Sequence, residues 1–261
     1  MTLSFTKYQG TGNDFIMVDC TQNSEFQLAK EQISALCDRR FGIGADGVIL
    51  IFKHEKLDFI MDYYNSDGSK SFCGNGARCA VHFAHSLKLF NDTAQFEAID
   101  GLHLAAVNQD IVSLKMNKVD HFEKDDTAFI LDTGSPHYVK FVADVDHENI
   151  VEYGQNIRYS NKYKKEGINV NLVEVLEDNH LEMLTYERGV EDETFSCGTG
   201  ATAVALAYAL VLDYYDIDVR IQVKGGELNV KAERMEDAPT TFDSIFLIGP
   251  AEKVFVGQIE I

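Results

Sequence analysis

Tryptophan is absent from the 261-residue chain, proline occurs only three times, and basic residues are few: 23 Lys and Arg stand against 42 Asp and Glu. A formal charge of −19 repels phosphate backbones and argues against nucleic acid as a partner. It also means that a site for a carboxylate must create its positive potential locally. Three prolines against 19 glycines predict many turns and no rigid linker. The longest apolar run, Ala203–Leu212, falls well short of the ~20 residues of a membrane span and reads as a buried helix. The opening MTLSFTKYQG has neither the basic start nor the apolar stretch of a signal peptide, so no membrane partner and a cytoplasmic location are expected. Five cysteines, at 20, 37, 73, 79 and 197, form an odd set without paired CxxC spacing. That argues against a disulfide framework and against a structural zinc site.

What is present is present twice. Cys73-Gly74-Asn75-Gly76-Ala77 returns as Cys197-Gly198-Thr199-Gly200-Ala201, 124 residues later, and Gly10-Thr11-Gly12-Asn13 and Gly134-Ser135-Pro136-His137 share that offset. A common offset of nearly half the chain implies two homologous halves. The polar stretch His121–Asp126 reads as their connector. The expected halves are 1–121 and 122–249, with a last strand within 250–261 returning to the first half. Short alternating runs such as Phe15–Asp19, Val48–Phe52, Ile168–Val175 and His180–Tyr186 predict strands. Ala29–Arg40, Arg78–Leu89 and Thr202–Leu212 predict helices. Each half therefore reads as antiparallel strands around one apolar helix, an α/β fold of the α+β type.

A cysteine just before a glycine-rich helix start is placed for chemistry. The first N–H groups of a helix lack internal partners and carry about half a unit of positive charge. Glycines let an anion approach that backbone, and the same field stabilises a thiolate. Two such cysteines in duplicated halves suggest a carbon held between them in a cleft, losing its proton to one sulfur and regaining a proton from the other. Two helix starts would stabilise the charge that builds on the neighbouring carboxylate. Cys20, Cys37 and Cys79 carry no such context and read as small buried hydrophobes.

With these motifs in view, the chain resembles the diaminopimelate epimerase family. The resemblance spans Gly12–Phe15, Arg40–Gly47, Asn65–Ser69, Cys73–Cys79, Gly134–His137, Asn169, Glu187–Gly189 and Cys197–Gly200. It implies two pseudo-symmetric halves, each a mainly antiparallel sheet wrapped around a central helix, with the active site in the cleft between them. It implies no pyridoxal phosphate or other cofactor and no metal. The implied substrate is a small dicarboxylic diamino acid, and a homodimer is a further expectation. By position, Cys73 and Cys197 are the acid–base pair, and Gly74, Asn75, Gly198 and Thr199 cradle the reacting carboxylate. Glu187 holds the α-ammonium, His137 assists near a thiol, Arg188 takes the distal carboxylate, and Asn13, Asn65 and Asn169 bond the polar ends. Two positions depart from the family pattern: Ser135 where many members have Asn, and Gly47 where some have Gln. The alternatives are a proline or hydroxyproline racemase of the same structural class, a thiol redox protein, and a non-catalytic binding protein. Arg188 and the asparagines favour a substrate with a second charged end, which proline lacks.

Overall fold

The computed structural model describes residues 1–261. In chain order it forms β1 (Thr2–Gly10), β2 (Asn13–Asp19), α1 (Lys30–Cys37), β3 (Gly47–Phe52), β4 (Phe59–Asn65), α2 (Gly74–Ser86), β5 (Thr93–Ala98), β6 (Gly101–Asn108) and β7 (Ile111–Lys115). Next come β8 (Phe122–Asp125), β9 (Ala128–Asp132), β10 (Pro136–Phe141), α3 (Ile150–Arg158), β11 (Asn169–Glu177) and β12 (His180–Glu187). The chain closes with β13 (Asp192–Glu193), α4 (Gly198–Leu212), β14 (Asp216–Val223), β15 (Gly226–Arg234), β16 (Phe242–Pro250) and β17 (Glu252–Glu260). It divides into one unit of residues 1–114 with 249–261 and a second of residues 115–248.

In the first unit the strand order is β17-β1-β2-β3-β4-β5-β6-β7, antiparallel throughout except at β2–β3 and β4–β5. In the second it is β8-β9-β10-β11-β12-β14-β15-β16, parallel only at β10–β11 and β12–β14. The duplication therefore extends to topology. A parallel step needs a crossover, and helices supply all four: α1 and α2 in the first unit, α3 and α4 in the second.

α2 packs on β1, β2, β3, β4 and β6, and α4 on β9, β10, β11, β14 and β15, so each sheet curls around its own helix. The outer face of the first sheet is covered by α1, whose Ile33 and Leu36 pack with Ile16, Val18, Val48 and Leu50. β3 is thus buried on both sides, which explains its unbroken apolar run Val48–Ile51. α3 plays the same part in the second unit, with Ile150 and Ile157 against Val170 and Leu172. Both core helices start earlier than the sequence reading placed them, at Gly74 and Gly198. Glycine is a poor helix former, but the close packing at this turn requires it. A Cβ on Gly76 would lie 3.2 Å from Ile49 and 3.3 Å from Phe15, and one on Gly200 would lie 2.8 Å from Asn171. The alternation also failed to register β5, β6 and α3, where Ala, Gln, Asn and a mid-helix Gly154 dilute the apolar period. No helix is long and apolar enough to cross a membrane.

The offset of 124 holds for the core helices but not for the strands. Phe15 pairs with Gly47 and Gly47 with Asn65 in the first unit. His137 pairs with Asn169 in the second, and the residues after and before, Val170 and Tyr186, put Asn169 beside Glu187. The strands therefore correspond at an offset of 122. Cys73 follows Asn65 by eight residues, and Cys197 follows Glu187 by ten. The matching of Asn13 with His137 is corrected accordingly: His137 stands where Phe15 does, and Ser135 where Asn13 does.

Candidate active site

In the first unit, Cys73 caps α2 with φ −133° and ψ 117°, and its sulfur accepts from the Gly76 N–H at 3.4 Å. Asn13 Oδ1 lies 3.5 Å from that sulfur and accepts from Asn75 Nδ2 at 3.3 Å. Asn13 is held in turn by an ion cluster. Its Nδ2 donates to Asp46, Arg39 bridges Asp14 and Asp46 at 2.7 Å each, and buried Lys7 pairs with Asp14 at 2.7 Å. Burial works to raise the Asp14 pKa, but the hydrogen bonds and charges of Arg39 and Lys7 outweigh it and hold the carboxyl below its usual value. Asn65 Nδ2 donates to Ser69 and Ser71, tying down the loop that leads to Cys73. Arg78, the fifth residue of the same helix, is fully buried. Its Nη2 donates to Thr11 at 3.3 Å, Nε and Nη1 have no hydrogen-bond partner, and burial pushes the guanidinium down to about 10.

In the second unit, Cys197 caps α4 with nearly the same backbone, φ −128° and ψ 109°. Its sulfur lies 3.4 Å from Thr199 Oγ1, which is 2.9 Å from His137 Nε2. On the far side of the ring, His137 Nδ1 is 2.8 Å from Asn171 Oδ1, and Asn171 Nδ2 donates to Thr185 Oγ1 at 2.8 Å. His137 is fully buried, and desolvation pushes its pKa down to about 4, so the imidazole is neutral near pH 7. Ser135 joins the cluster at 3.1 Å from His137 Nε2 and 3.3 Å from Thr199 Oγ1. Asn169 is a stitch between strands: its Nδ2 donates to Ser135 Oγ at 3.0 Å and the Pro136 carbonyl at 3.1 Å, and its Oδ1 accepts the Arg188 N–H at 2.9 Å. Glu187 ends β12, half-buried, opposite Asp192. The Arg188 guanidinium is exposed and donates to the Glu166 carbonyl at 3.0 Å. Gly167, at φ +77°, makes room for it, since a Cβ there would lie 2.5 Å from Arg188 Cδ.

The sequence-predicted residues thus gather in two groups. Cys73, Gly74, Asn75 and Asn13 meet at the start of α2, with Asn65 on the adjoining loop. Cys197, Gly198, Thr199, His137 and Asn169 meet at the start of α4, with Glu187 and Arg188 at the end of β12. Of the two departures, Ser135 keeps a hydrogen-bonding role. The space of a Gly47 side chain is filled by the Tyr63 ring. Sequence reasoning missed Lys7, Asp14, Arg39 and Asp46, which fix Asn13, and Asn171 and Thr185, which fix His137. One signal was available: Asn171 is a second asparagine, two residues after Asn169 and so on the same face of β11, between Val170 and Leu172. No group of three or more His, Cys, Asp or Glu side chains is arranged to share a metal ion.

The model of the family described as diaminopimelate epimerase matches residues 5–121 and 129–254. Diaminopimelate epimerase of Flavobacterium psychrophilum is 47% identical over 255 residues, covering 95% of this chain and 97% of that one. Diaminopimelate epimerase of Chlorobaculum tepidum is 40% identical over 260 residues, covering 96% and 98%. The fold is shared with the crystal structure of a PhzF-family phenazine biosynthesis protein from Bacillus anthracis, at a TM-score of 0.79 and 14% identity over the whole of both chains. The duplicated cysteine caps, the ordered motifs and these likenesses agree, and the chain belongs to the diaminopimelate epimerase family.

Proposed function

We propose that this chain is an isomerase that interconverts LL- and meso-diaminopimelate, a precursor of lysine and peptidoglycan, without pyridoxal phosphate or a metal. Cys73 and Cys197 are its acid–base pair. One thiolate takes the α-proton, and the other thiol delivers its own proton to the opposite face of the carbon. The first sulfur ends protonated, the second ends as thiolate, and charge is conserved. The observation that carries this reading is the equivalence of the two cysteines. Each caps the core helix of its unit with the same extended backbone.

The remaining roles follow from chemistry. The backbone N–H groups of Gly74, Asn75, Gly198 and Thr199 suit the reacting carboxylate, because developing negative charge is stabilised at helix starts. Glu187 pairs with the α-ammonium, and the exposed Arg188 fork takes the distal carboxylate. Asn13, Asn65 and Asn169 orient the polar ends, and neutral His137 acts on Cys197 through Thr199. The enzyme works in the cytoplasm as a homodimer, which fractionation and sedimentation check.

The test is incubation with LL-diaminopimelate in D2O. Wild type is expected to form meso product carrying deuterium at the inverted carbon. Cys73→Ala and Cys197→Ala are each expected to lose epimerisation by about 10²–10⁴-fold or more, the usual contribution of a positioned acid or base. Full epimerisation by either variant would overturn the reading.

A further inference from the structure

Behind Cys73 the polar chain runs through Asn13 to Asp46 and Arg39; the His137–Asn171–Thr185 chain behind Cys197 has no counterpart at the equivalent strand positions. His137, Asn171 and Thr185 stand where the first unit has Phe15, Ile49 and Tyr63, each pair 122 residues apart and in equivalent register. Phe15 and Ile49 are fully buried, and the Phe15 ring meets Tyr63 edge-on at 5.9 Å. The topology is therefore satisfied by hydrocarbon and aromatic side chains at these positions. Burying an imidazole and an amide instead is unfavourable unless every polar atom finds a partner. Partners are indeed supplied, which points to a purpose beyond packing.

The partners fix the tautomer. Asn171 Nδ2 faces Thr185 Oγ1 at 2.8 Å and Met183 Sδ at 3.4 Å. A thioether only accepts, so this end of the amide is the donor. Asn171 Oδ1 then faces His137 Nδ1, which must carry the hydrogen. Nε2 is left as a lone pair, and its neighbours all have hydrogens to give: Thr199 at 2.9 Å, Ser135 at 3.1 Å and Asn169 Nδ2 at 3.5 Å. The hydroxyl hydrogen of Thr199 goes to Nε2 over the shortest of these contacts. Only lone pairs of Thr199 remain for the Cys197 sulfur at 3.4 Å.

We propose that Asn171 is a positioning residue that keeps the resting proton on Cys197: by holding His137 in the Nδ1–H form, it turns the Thr199 oxygen into an acceptor for the Cys197 S–H. Cys73 differs: Asn13 Oδ1 stands 3.5 Å from its sulfur as an acceptor, but that sulfur also accepts a backbone N–H from Gly76 at 3.4 Å, a cap bond that Cys197 does not make. The free enzyme thus starts with Cys197 as acid and Cys73 as base. Once Cys197 has given up its proton, the Thr199 hydroxyl turns from Nε2 to the thiolate. Charged groups do not disturb this arrangement. Asp132 on β9 raises the His137 pKa and Arg188 lowers it. α4 has no charged residue along its length. On β11, Glu174 accepts from Val145 N–H and Glu177 from Arg220. Glu182 and Glu187 are the acids of β12, and Lys140 of β10 donates to Thr127.

The inference rests on Cys197 being one of the proton-transfer pair, so its test is read on substrate-free, reduced enzyme. The His137 tautomer is measured by long-range 1H–15N correlation. Thiolate formation at Cys73 and Cys197 is measured by the pH dependence of iodoacetamide alkylation, mapped by peptide. Burial raises Cys20, Cys37 and Cys79 to about 12, 11 and 12, so they stay silent near neutral pH. Wild type is expected to show the Nδ1–H form, with Cys197 ionising at higher pH than Cys73. Asn171→Leu should shift His137 to the Nε2–H form and lower the Cys197 midpoint by about one pH unit, a tenfold gain in thiolate below the midpoint. Asn171→Asp, which still accepts from Nδ1–H, should retain the wild-type tautomer and order. An Nε2–H wild type, or an Asn171→Leu protein that loses stability with its Cys197 midpoint unmoved, overturns the proposal. Should Asn171→Leu not fold, the wild-type tautomer and Thr185→Val, expected to shift the midpoint less and in the same direction, decide it. Failure of the two-thiol reading shows elsewhere, as epimerisation retained by Cys197→Ala.

Discussion

Gly47 and Tyr63 share one space: a Cβ on Gly47 would lie 2.5 Å from the Tyr63 ring and closer still to the Tyr64 carbonyl oxygen. At the equivalent positions of the second unit the sizes are reversed, with Asn169 carrying a side chain and Thr185 a short one. The two units thus solve the same packing problem with opposite distributions of bulk.

Gly47→Ala is accordingly expected to destabilise the protein by about 1–3 kcal/mol, the range for forcing extra volume into a packed core. Urea unfolding would show a lower midpoint with an unchanged slope. An unchanged midpoint would mean that β3 yields freely at this point.

His137 makes stability sensitive to mild acid. Its folded pKa of about 4 lies below its unfolded value of about 6.5. Between those values the unfolded chain binds a proton that the folded one refuses. Stability therefore falls as pH drops from about 6.5 to about 4, by about 3 kcal/mol in total, and no further below that. His137→Phe, which places the residue of the first unit in the second, should flatten this limb. Denaturation midpoints of both proteins between pH 4 and 7 provide the check.

Asp14 acts in a lower window. Its folded pKa is depressed, so its contribution is complete above about pH 4 and is lost as pH falls through the folded value. Asp14→Asn should remove that acid limb. At pH 7 it should cost about 3–5 kcal/mol, because Lys7 is left buried without its carboxylate. Arg39 keeps Asp46 and softens the loss. Thermal unfolding of wild type and variant at pH 7 and pH 3 separates this effect from that of His137. A variant as stable as wild type at pH 7 would show that the Gly44 carbonyl alone satisfies Lys7.

Much of the site was legible before any coordinates. The repeated Cys-Gly-x-Gly-Ala announces itself, because a helix start that packs tightly on strands leaves few residue choices. Cys73 and Cys197 were found that way, as were Gly74, Asn75, Gly198 and Thr199. His137 was found as well, but matched to the wrong residue of the other half. A two-residue difference between Asn65–Cys73 and Glu187–Cys197 shifts the register, and composition gives no sign of it. Lys7 reads as an ordinary surface lysine until Asp14 and the Gly44 carbonyl are seen to receive it. Arg78 lies within a recognised motif, yet nothing local announces that its guanidinium is buried.

The sequence by itself determined the duplication and the two cysteines that cap the core helices, because these depend on local backbone chemistry within a few residues. Tertiary structure alone decided which polar groups stand behind each sulfur. Asn171 is 34 residues from His137 and Thr199 is 62, and only the pairing of β10 with β11 and the packing of α4 on them bring these hydrogen-bonding atoms into reach.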